Sequence, residues 1–475
     1  MSEAKHKPSS AVIVGLGRTG FSCAAYLLEH GWRIAVTDTR AKPPELQRLR
    51  ELDAEIPVRL GGLDTRLLDD AICVVASPGV SLADPFFAEA RRRGLEIVGD
   101  IELFARAVDA PVVGITGTNG KSTVTTLVGR MAKRAGIQVR VGGNLGEPAL
   151  DLLRASSTDE TPTGLYVLEL SSFQLEATHS LDLRAAVVLN VSPDHMDRYA
   201  SVEDYAAAKA RIFARCDAAV INLDDPLVVA MPAPGQRTLS FSLRASVGAD
   251  YSVIENQSTA NGNGSTNRAD VGSAVGGTGR NGWWLARRGE PLLPIADLKI
   301  KGLHNAANAL AALALGEALG FPLPTMLAEL AAFPGLPHRS QWIADIQGVT
   351  YINDSKGTNV GATLAAVAGM PGPLVMIAGG DGKQQDFAPL REAFKDKVRH
   401  TVLIGRDAQA IAKVLDGVCS FEMSDSLENA VRAAASAAKA GDVVLLSPAC
   451  ASLDMFRDYT HRGAVFAQAV KELAA

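Results

Sequence analysis

The chain is 475 residues long, with 47 Lys plus Arg against 52 Asp plus Glu and a net charge of -5. At roughly 150 residues per domain this length implies about three domains, and the slight acidity excludes the basic surface that grips a nucleic-acid backbone. A content of 47% hydrophobic and 21% charged residues excludes general disorder. Cys23, Cys73, Cys216, Cys419 and Cys450 stand singly, so neither a C-x-x-C metal site nor a redox pair is expected. A polar start at Met1 to Ser10, with no apolar run long enough for a bilayer, gives the expectation of a cytoplasmic protein without a membrane partner.

Short apolar bursts alternate with Ala-rich helical stretches from end to end, which predicts an α/β fold of parallel sheets covered by crossover helices. The first βαβ unit has a strand over 11–14, a glycine turn, a helix over 21–30 and a strand over 33–37. Gly15-Leu16-Gly17-Arg18-Thr19-Gly20 satisfies G-x-G-x-x-G, and Asp38 follows the second strand, where an acidic residue takes a ribose hydroxyl. The turn aims helix amides at a phosphate, so NAD or another nucleotide diphosphate would satisfy it. A strand over 72–76 leads to Ser77-Pro78-Gly79, and a first domain is expected over 1–105.

A central domain is expected over 106–335. Its strand at 111–115 runs into Thr116-Gly117-Thr118-Asn119-Gly120-Lys121-Ser122-Thr123 and then a helix over 122–135. Small residues let backbone amides wrap a β-phosphate, Lys121 supplies a cation for β/γ oxygens, and the Ser122 hydroxyl suits magnesium. Five residues, not four, separate Gly114 from Gly120, so this is a variant of the P-loop. Strands follow over 166–170, 186–190 and 219–222. Glu169 ends an apolar run in Leu168-Glu169-Leu170-Ser171-Ser172, where an unpaired charge is costly and a metal is a natural partner. His195 lies in the polar segment Asn190 to Arg198, directly after a strand, where open α/β sheets keep their sites. Residues 255–281 are rich in Gly, Asn, Ser and Thr and read as a mobile surface insertion without chemistry. A helix over 305–319 and a linker at 333–337 lead to a third α/β domain over 336–475, with strands over 349–352, 374–377, 401–404 and 443–446.

The 117–123 loop, the Glu169 and His195 segments, the run Tyr205 to Ile212, His304-Asn305-Ala306-Ala307-Asn308-Ala309, His338-Arg339 and Asn353-Asp354-Ser355-Lys356 together resemble the Mur ligases of peptidoglycan synthesis. The resemblance covers the chain apart from the insertion. It implies an α/β protein of three domains: a Rossmann-like N-terminal domain for a UDP substrate, a central P-loop-type ATPase domain, and a Rossmann-like C-terminal domain that closes over the nucleotide. It implies a cytoplasmic ligase serving cell-wall growth, cell shape and division, which adds D-glutamate to UDP-N-acetylmuramoyl-L-alanine as ATP becomes ADP and phosphate. Leu446 to Asp454 and the turn at 15–22 favour the D-glutamate-adding type, and the Asp-Asn-Pro-Arg motif of the diaminopimelate-adding type is absent.

The same resemblance implies that Gly117, Thr118, Asn119, Gly120, Lys121, Ser122 and Thr123 bind ATP with Asn305, Asn308, Arg339 and Asp354. Arg18, Thr19, Asp38, Thr39, Arg40, Ser77, Gly79, Asn144 and Ser171 would meet the UDP substrate, while Lys356, Thr358, Ser452, Leu453 and Tyr459 lie near D-glutamate. Lys121, Glu169, His195 and Lys209 form the implied catalytic set, with two magnesium ions held by Ser122, Glu169, His195 and Lys209. By itself Lys209, in a helical run over 202–213, reads as a solvated helix-face lysine; the resemblance implies instead a carbamate, formed with carbon dioxide, that helps hold magnesium. Gly357 stands where the resemblance leads one to expect Ala, and a monomer is expected. The competing readings are another Mur-type or folylpolyglutamate-type amide ligase, and an NAD-dependent dehydrogenase, which would leave Lys121, Glu169 and Asp354 without work.

Overall fold

A computed structural model of the chain describes residues 9–156, 161–196, 198–244, 248–255, 282–300, 302–370, 372–383 and 385–473. The insertion expected over 255–281 lies, beyond Glu255, outside the described residues. The chain divides into two compact units: one contains everything up to Ser242 together with Leu310–Glu329, the other contains Ser252–Ala309 and Leu330–Ala475.

The first unit carries two parallel sheets. In the first, the strands run Val58–Leu60, Arg33–Asp38, Ser10–Val14, Cys73–Ala76 and Glu96–Val98 across the sheet. The chain moves outward from the Ser10–Val14 strand on one side and returns to its other side, so the turns at 15–20 and 77–79 meet at the switch point where such sheets bind ligands. Alternate residues of one strand pack on opposite faces: Ala11 and Ile13 with Tyr26 and Leu27, Val12 and Val14 with Phe86 and Phe87. Burial on both faces explains why these strands read as continuous apolar runs. The helix expected over 21–30 begins earlier, as Arg18–Glu29, because the second half of the glycine motif is already helical; no side chain caps its first turn.

Within this unit six strands of the second sheet run in the order Thr238–Ser242, Ala219–Asn222, Ala185–Val188, Val112–Thr116, Leu165–Glu169 and Val139–Gly143, all parallel. The glycine-rich loop leaves Val112–Thr116 at this sheet's own switch point, between the strand ending in Glu169 and the strand leading to Asn190.

The second unit holds the hairpin Trp283–Arg287 with Glu290–Pro294 and a six-stranded sheet. Across that sheet run Gln341–Ile346, Val349–Asn353, Val443–Leu446, Leu374–Gly379, Val398–Ile404 and Ser420–Met423. Only the first pair is antiparallel. The segments after Asn353, Leu446 and Gly379 therefore emerge side by side.

Candidate active site

The loop after Val112–Thr116 is shaped by its backbone. Gly117 takes φ 148°, and a Cβ there would lie 3.0 Å from the Leu189 Cβ, so only glycine lets the loop run this close to the next strand's exit. The Asn190 side chain clamps it, accepting from the Asn119 amide at 2.8 Å and donating to the Asn119 carbonyl at 3.2 Å; the Ser192 amide donates to Thr118 Oγ1 at 3.0 Å. Helix Lys121–Arg134 then starts at Gly120 without a side-chain cap. The start of a helix, where the first amides have no partner within the helix, is the arrangement that receives a phosphate.

Ser122, in the first turn of helix Lys121–Arg134, and Glu169, at the end of strand Leu165–Glu169, meet here from positions 47 residues apart. Ser122 Oγ donates to Glu169 Oε2 at 2.7 Å, and Asn144 Nδ2 donates to Oε1 at 2.8 Å. Glu169 is 3% exposed, so both carboxylate oxygens are held in one orientation inside the unit. Asn144, expected at the substrate, thus also orients Glu169. The Lys121 ammonium folds back onto its own loop, donating to the carbonyls of Gly117 and Thr118 at 2.8 Å each.

The solvated-lysine reading of Lys209 is overturned. Ser201 caps helix Val202–Ala210 by accepting from the Asp204 amide, and this fixes a face on which Lys209 is 1% exposed. Its Nζ donates to the Gly117 carbonyl at 3.0 Å and lies 4.2 Å above the Tyr205 ring. No carboxylate among the described residues forms an ion pair with it. Burial, and then the neighbouring Lys121 charge, pull its pKa from 10.5 to about 6, so at neutral pH the unmodified side chain is a free amine. Burial also pushes the Tyr205 hydroxyl up to about 12.

His195 stands at the rim. Its backbone is left-handed, at φ 55°, its side chain is 46% exposed, and its ring meets Phe173 and Tyr205 edge-on at 4.9 and 6.3 Å. The structure joins Ser122 to Glu169 directly and Lys209 to Lys121 through the shared Gly117 carbonyl, whereas His195 reaches that set only through the Tyr205 ring. Among the described residues no three His, Cys, Asp or Glu side chains converge on one point. The fit for a metal is therefore that of magnesium, which takes one or two protein oxygens and completes its shell with phosphate and water: Ser122 and Glu169 supply hard oxygens, and an unmodified amine at Lys209 supplies none.

At the first switch point the Asp38 carboxylate is spent on the turn. It accepts from the Leu16 amide at 2.7 Å and from the Arg40 amide and guanidinium at 2.7 to 2.9 Å, and it is 1% exposed. Burial opposes its ionisation, but the Arg40 guanidinium and the two amides outweigh it and hold it below its ordinary range. Asp38 therefore shapes the turn and aims Arg40, in place of the open acceptor expected for a ribose. Ser77 likewise donates to the Gly15 carbonyl at 2.7 Å, while Arg18, Thr39, Arg40 and Gly79 are exposed and Thr19 is partly so. Ser171 caps helix Ser172–Glu176 in a reciprocal pair with Gln174.

In the second unit Asn305 and Asn308 sit one turn apart on helix Leu303–Ala318, both buried, with Asn308 Nδ2 donating to Asn305 Oδ1 at 3.1 Å. Asp354 accepts from Ser447 Oγ at 2.8 Å and the Ser340 amide at 3.0 Å, next to Arg339; burial pushes its pKa up to about 6. Gly357 is explained by this contact, since a Cβ there would come within 2.7 Å of Ser447 Oγ and 2.8 Å of Asp354 Oδ2. Lys356 Nζ lies 3.9 Å over the Tyr459 ring; Thr358 is partly exposed, Ser452 buried, and Leu453 66% exposed. The sequence reading passed over the loop 379–383, where Asp381 pairs with Ala451 beside Ser452 and Arg406 donates to Asp381 at 2.9 Å. Its Gly-Gly-Asp-Gly run was the available signal.

Three family models match the chain: a Mur ligase MurD-like N-terminal domain over residues 9–99, a Mur ligase middle domain over 115–316, and a Mur ligase glutamate ligase domain over 338–450. Among curated relatives, the UDP-N-acetylmuramoylalanine--D-glutamate ligase of Methylococcus capsulatus is 48% identical over 98% of this chain and 95% of its own length. That of Pseudomonas aeruginosa is 48% identical over 98% of each. Among solved structures, the chain is similar in fold to a pseudomurein peptide ligase type C from Methanothermus fervidus, with a TM-score of 0.57, 18% identity and coverage of 98% of this chain and 100% of that one. The UDP-N-acetylmuramate-alanine ligase of Thermotoga maritima matches with the same TM-score and identity, over 98% and 99%.

Proposed function

The chain belongs to the Mur ligase family, and from that premise we propose that it joins the amine of D-glutamate to the L-alanyl carboxylate of UDP-N-acetylmuramoyl-L-alanine while ATP is split to ADP and phosphate. The observation that carries this reading is the 48% identity running through 98% of the chain and 95% of a relative named for that activity. We place the UDP part of the substrate on 1–105, ATP on 106–335 and D-glutamate on 336–475, in a protein that acts in the cytoplasm as a monomer. No helix among the described residues is long and apolar enough to cross a membrane.

A carboxylate is a poor acylating agent. Phosphoryl transfer from ATP gives an acyl phosphate, the amine attacks its carbonyl carbon, and phosphate leaves from the tetrahedral intermediate. The barrier to each step is largely electrostatic. Lys121 turns from the Gly117 and Thr118 carbonyls to the β/γ oxygens, the first-turn amides of helix Lys121–Arg134 hold the phosphates, and Asn144 keeps Glu169 in position. Ser122 and Glu169 are the residues that would hold magnesium, which would supply neutralising charge for the transferring group. Lys209 joins this set as a carbamate: its free amine adds to the carbon of carbon dioxide and loses one proton, giving an anion with two hard oxygens, which with His195 would hold a second ion. Arg18, Thr19, Thr39, Arg40 and Gly79 line the mouth for the diphosphate. Asn305, Asn308, Arg339 and Asp354 serve the nucleotide, and Lys356, Thr358, Ser452, Leu453 and Tyr459 serve D-glutamate.

Phosphate release that requires ATP, UDP-N-acetylmuramoyl-L-alanine and D-glutamate together is the expected result; release without the amino acid, or a nicotinamide absorbance change in its place, would overturn the reading. Because Lys356 pairs with one acceptor carboxylate and Ser452 meets the other end, L-glutamate and D-alanine are expected to be poor acceptors in side-by-side assays. Equal use of either would remove the D-glutamate assignment and leave the ligase. Glu169→Gln keeps the shape and its Asn144 contact but removes the charge, so turnover should fall by about two orders of magnitude with an unchanged circular dichroism spectrum. Turnover near that of the unaltered enzyme would release Glu169 from the metal site.

A further inference from the structure

We propose that Arg462 is a positioning residue that ties together the acceptor-binding segments of the second unit and thereby sets the affinity for the acidic amino acid. The proposal rests on the reading above that Lys356, Ser452 and Tyr459 face that acceptor.

Arg462 lies in the first turn of helix Tyr459–Leu473 and is completely buried, among the largest fully buried side chains of the described chain. Its guanidinium donates from Nε to Ser355 Oγ at 3.0 Å, from Nη2 to the Ser355 carbonyl at 2.8 Å and from Nη1 to the Cys450 carbonyl at 3.1 Å. All three acceptors are neutral, so the cation is buried without a hydrogen-bonded counter-ion. It also sits at the helix end whose dipole repels positive charge. Burial lowers its pKa to about 10, which leaves it charged at neutral pH. An apolar side chain would avoid this cost, so a reason other than core stability is needed for a guanidinium here.

The reason is what the planar fork joins. Ser355 precedes Lys356, and its hydroxyl donates onward to the Tyr459 carbonyl at 2.8 Å. Cys450 lies two residues before Ser452. One side chain thus links the segment bearing Lys356, the segment bearing Ser452 and the helix start bearing Tyr459, whose ring the Lys356 ammonium already covers at 3.9 Å. The helix start is locked again one residue on: Asn353 Nδ2 donates to the Gly463 carbonyl at 2.8 Å, and a Cβ at Gly463 would fall 2.1 Å from His338 Nδ1. Asp354 takes its side-chain hydrogen bonds from Ser340 and Ser447, and Arg462 acts on it through charge alone. Loosening the guanidinium should therefore disturb the acceptor side, to which it is hydrogen-bonded, more than the nucleotide side.

The test measures KM for D-glutamate, KM for ATP and kcat in Arg462→Gln, Arg462→Lys and Ser355→Ala, well below each melting midpoint. Loss of buried charge-assisted hydrogen bonds should raise the D-glutamate KM of Arg462→Gln by at least about tenfold, with the ATP KM within about twofold. Arg462→Lys, which keeps the charge but not the fork, should recover part of that loss, and Ser355→Ala should move the same constant in the same direction. A lowered melting midpoint with an unmoved D-glutamate KM would make Arg462 purely structural and overturn the proposal; so would a parallel rise in both KM values. If Arg462→Gln does not fold, the other two variants decide by the same criteria. A wild-type enzyme with no D-glutamate-dependent phosphate release would instead overturn the functional reading, and this proposal with it.

Discussion

Lys209→Ala should be nearly inactive, and a small carboxylate such as acetate should restore part of the activity. The side chain is buried beside the phosphate loop, bonded to the Gly117 carbonyl, with Lys121 sharing that acceptor. Two ammonium groups on one carbonyl repel each other and any divalent cation, so a charged Lys209 would work against the site. Burial lowers its pKa to about 6, so the side chain is mostly free amine at pH 7, which is the form that adds to carbon dioxide. The resulting anion answers the shortage of hard oxygens around Ser122 and Glu169. Depleting carbon dioxide and lowering the pH through about 6 should each reduce activity, because protonation removes the nucleophilic amine. In carbon dioxide-free buffer the sign for stability follows from proton uptake: between about 6 and 10.5 the unfolded chain binds a proton at Lys209 that the folded chain does not, so this group's contribution rises with pH across that window. Rescue by acetate is the decisive arm, since it asks whether an anion in a cavity is what the variant lacks. Full activity of Lys209→Ala, or an unmodified ammonium in a magnesium-loaded ternary complex, would sink the carbamate.

Lys121→Ala should abolish ligation, by at least about a hundredfold, while UDP still binds. The ammonium bonds to two carbonyls of its own loop, and the loop is independently clamped by Asn190 and Ser192. Truncation therefore removes a cation from a loop that keeps its shape. The first sheet, with a core of its own at Val12, Val14, Val74, Phe86 and Phe87, should remain folded. Calorimetry with UDP and the phosphate-release assay separate the two effects; near-normal ligation would show that this loop is not the phosphate site.

The sheets were legible in the sequence because their strands are buried on both faces. Runs such as those at Ser10–Val14, Val112–Thr116 and Val443–Leu446 carry apolar residues at successive positions, a local property. The edge strand Gln341–Ile346 was not legible, since its residues are half exposed and their pattern is weak. The phosphate loop was also readable, because a strand, small residues and a lysine must be contiguous to wrap a phosphate.

Burial and pairing were decided elsewhere. Helix Val202–Ala210 is so rich in alanine that no apolar stripe marks its inner face, and only the loop at Gly117, 92 residues away, makes Lys209 an interior amine. Asp38 looked like a ribose acceptor until the Leu16 amide and Arg40 were seen to occupy it. Arg462 carries no local signal at all, and its partner Ser355 is 107 residues distant. Sequence by itself determined which segments form strands, turns and the phosphate loop, since those depend on neighbours along the chain. Which charges are desolvated, and by whom they are held, depends on groups brought together only when the sheets close, and for that reason the tertiary structure alone decided it.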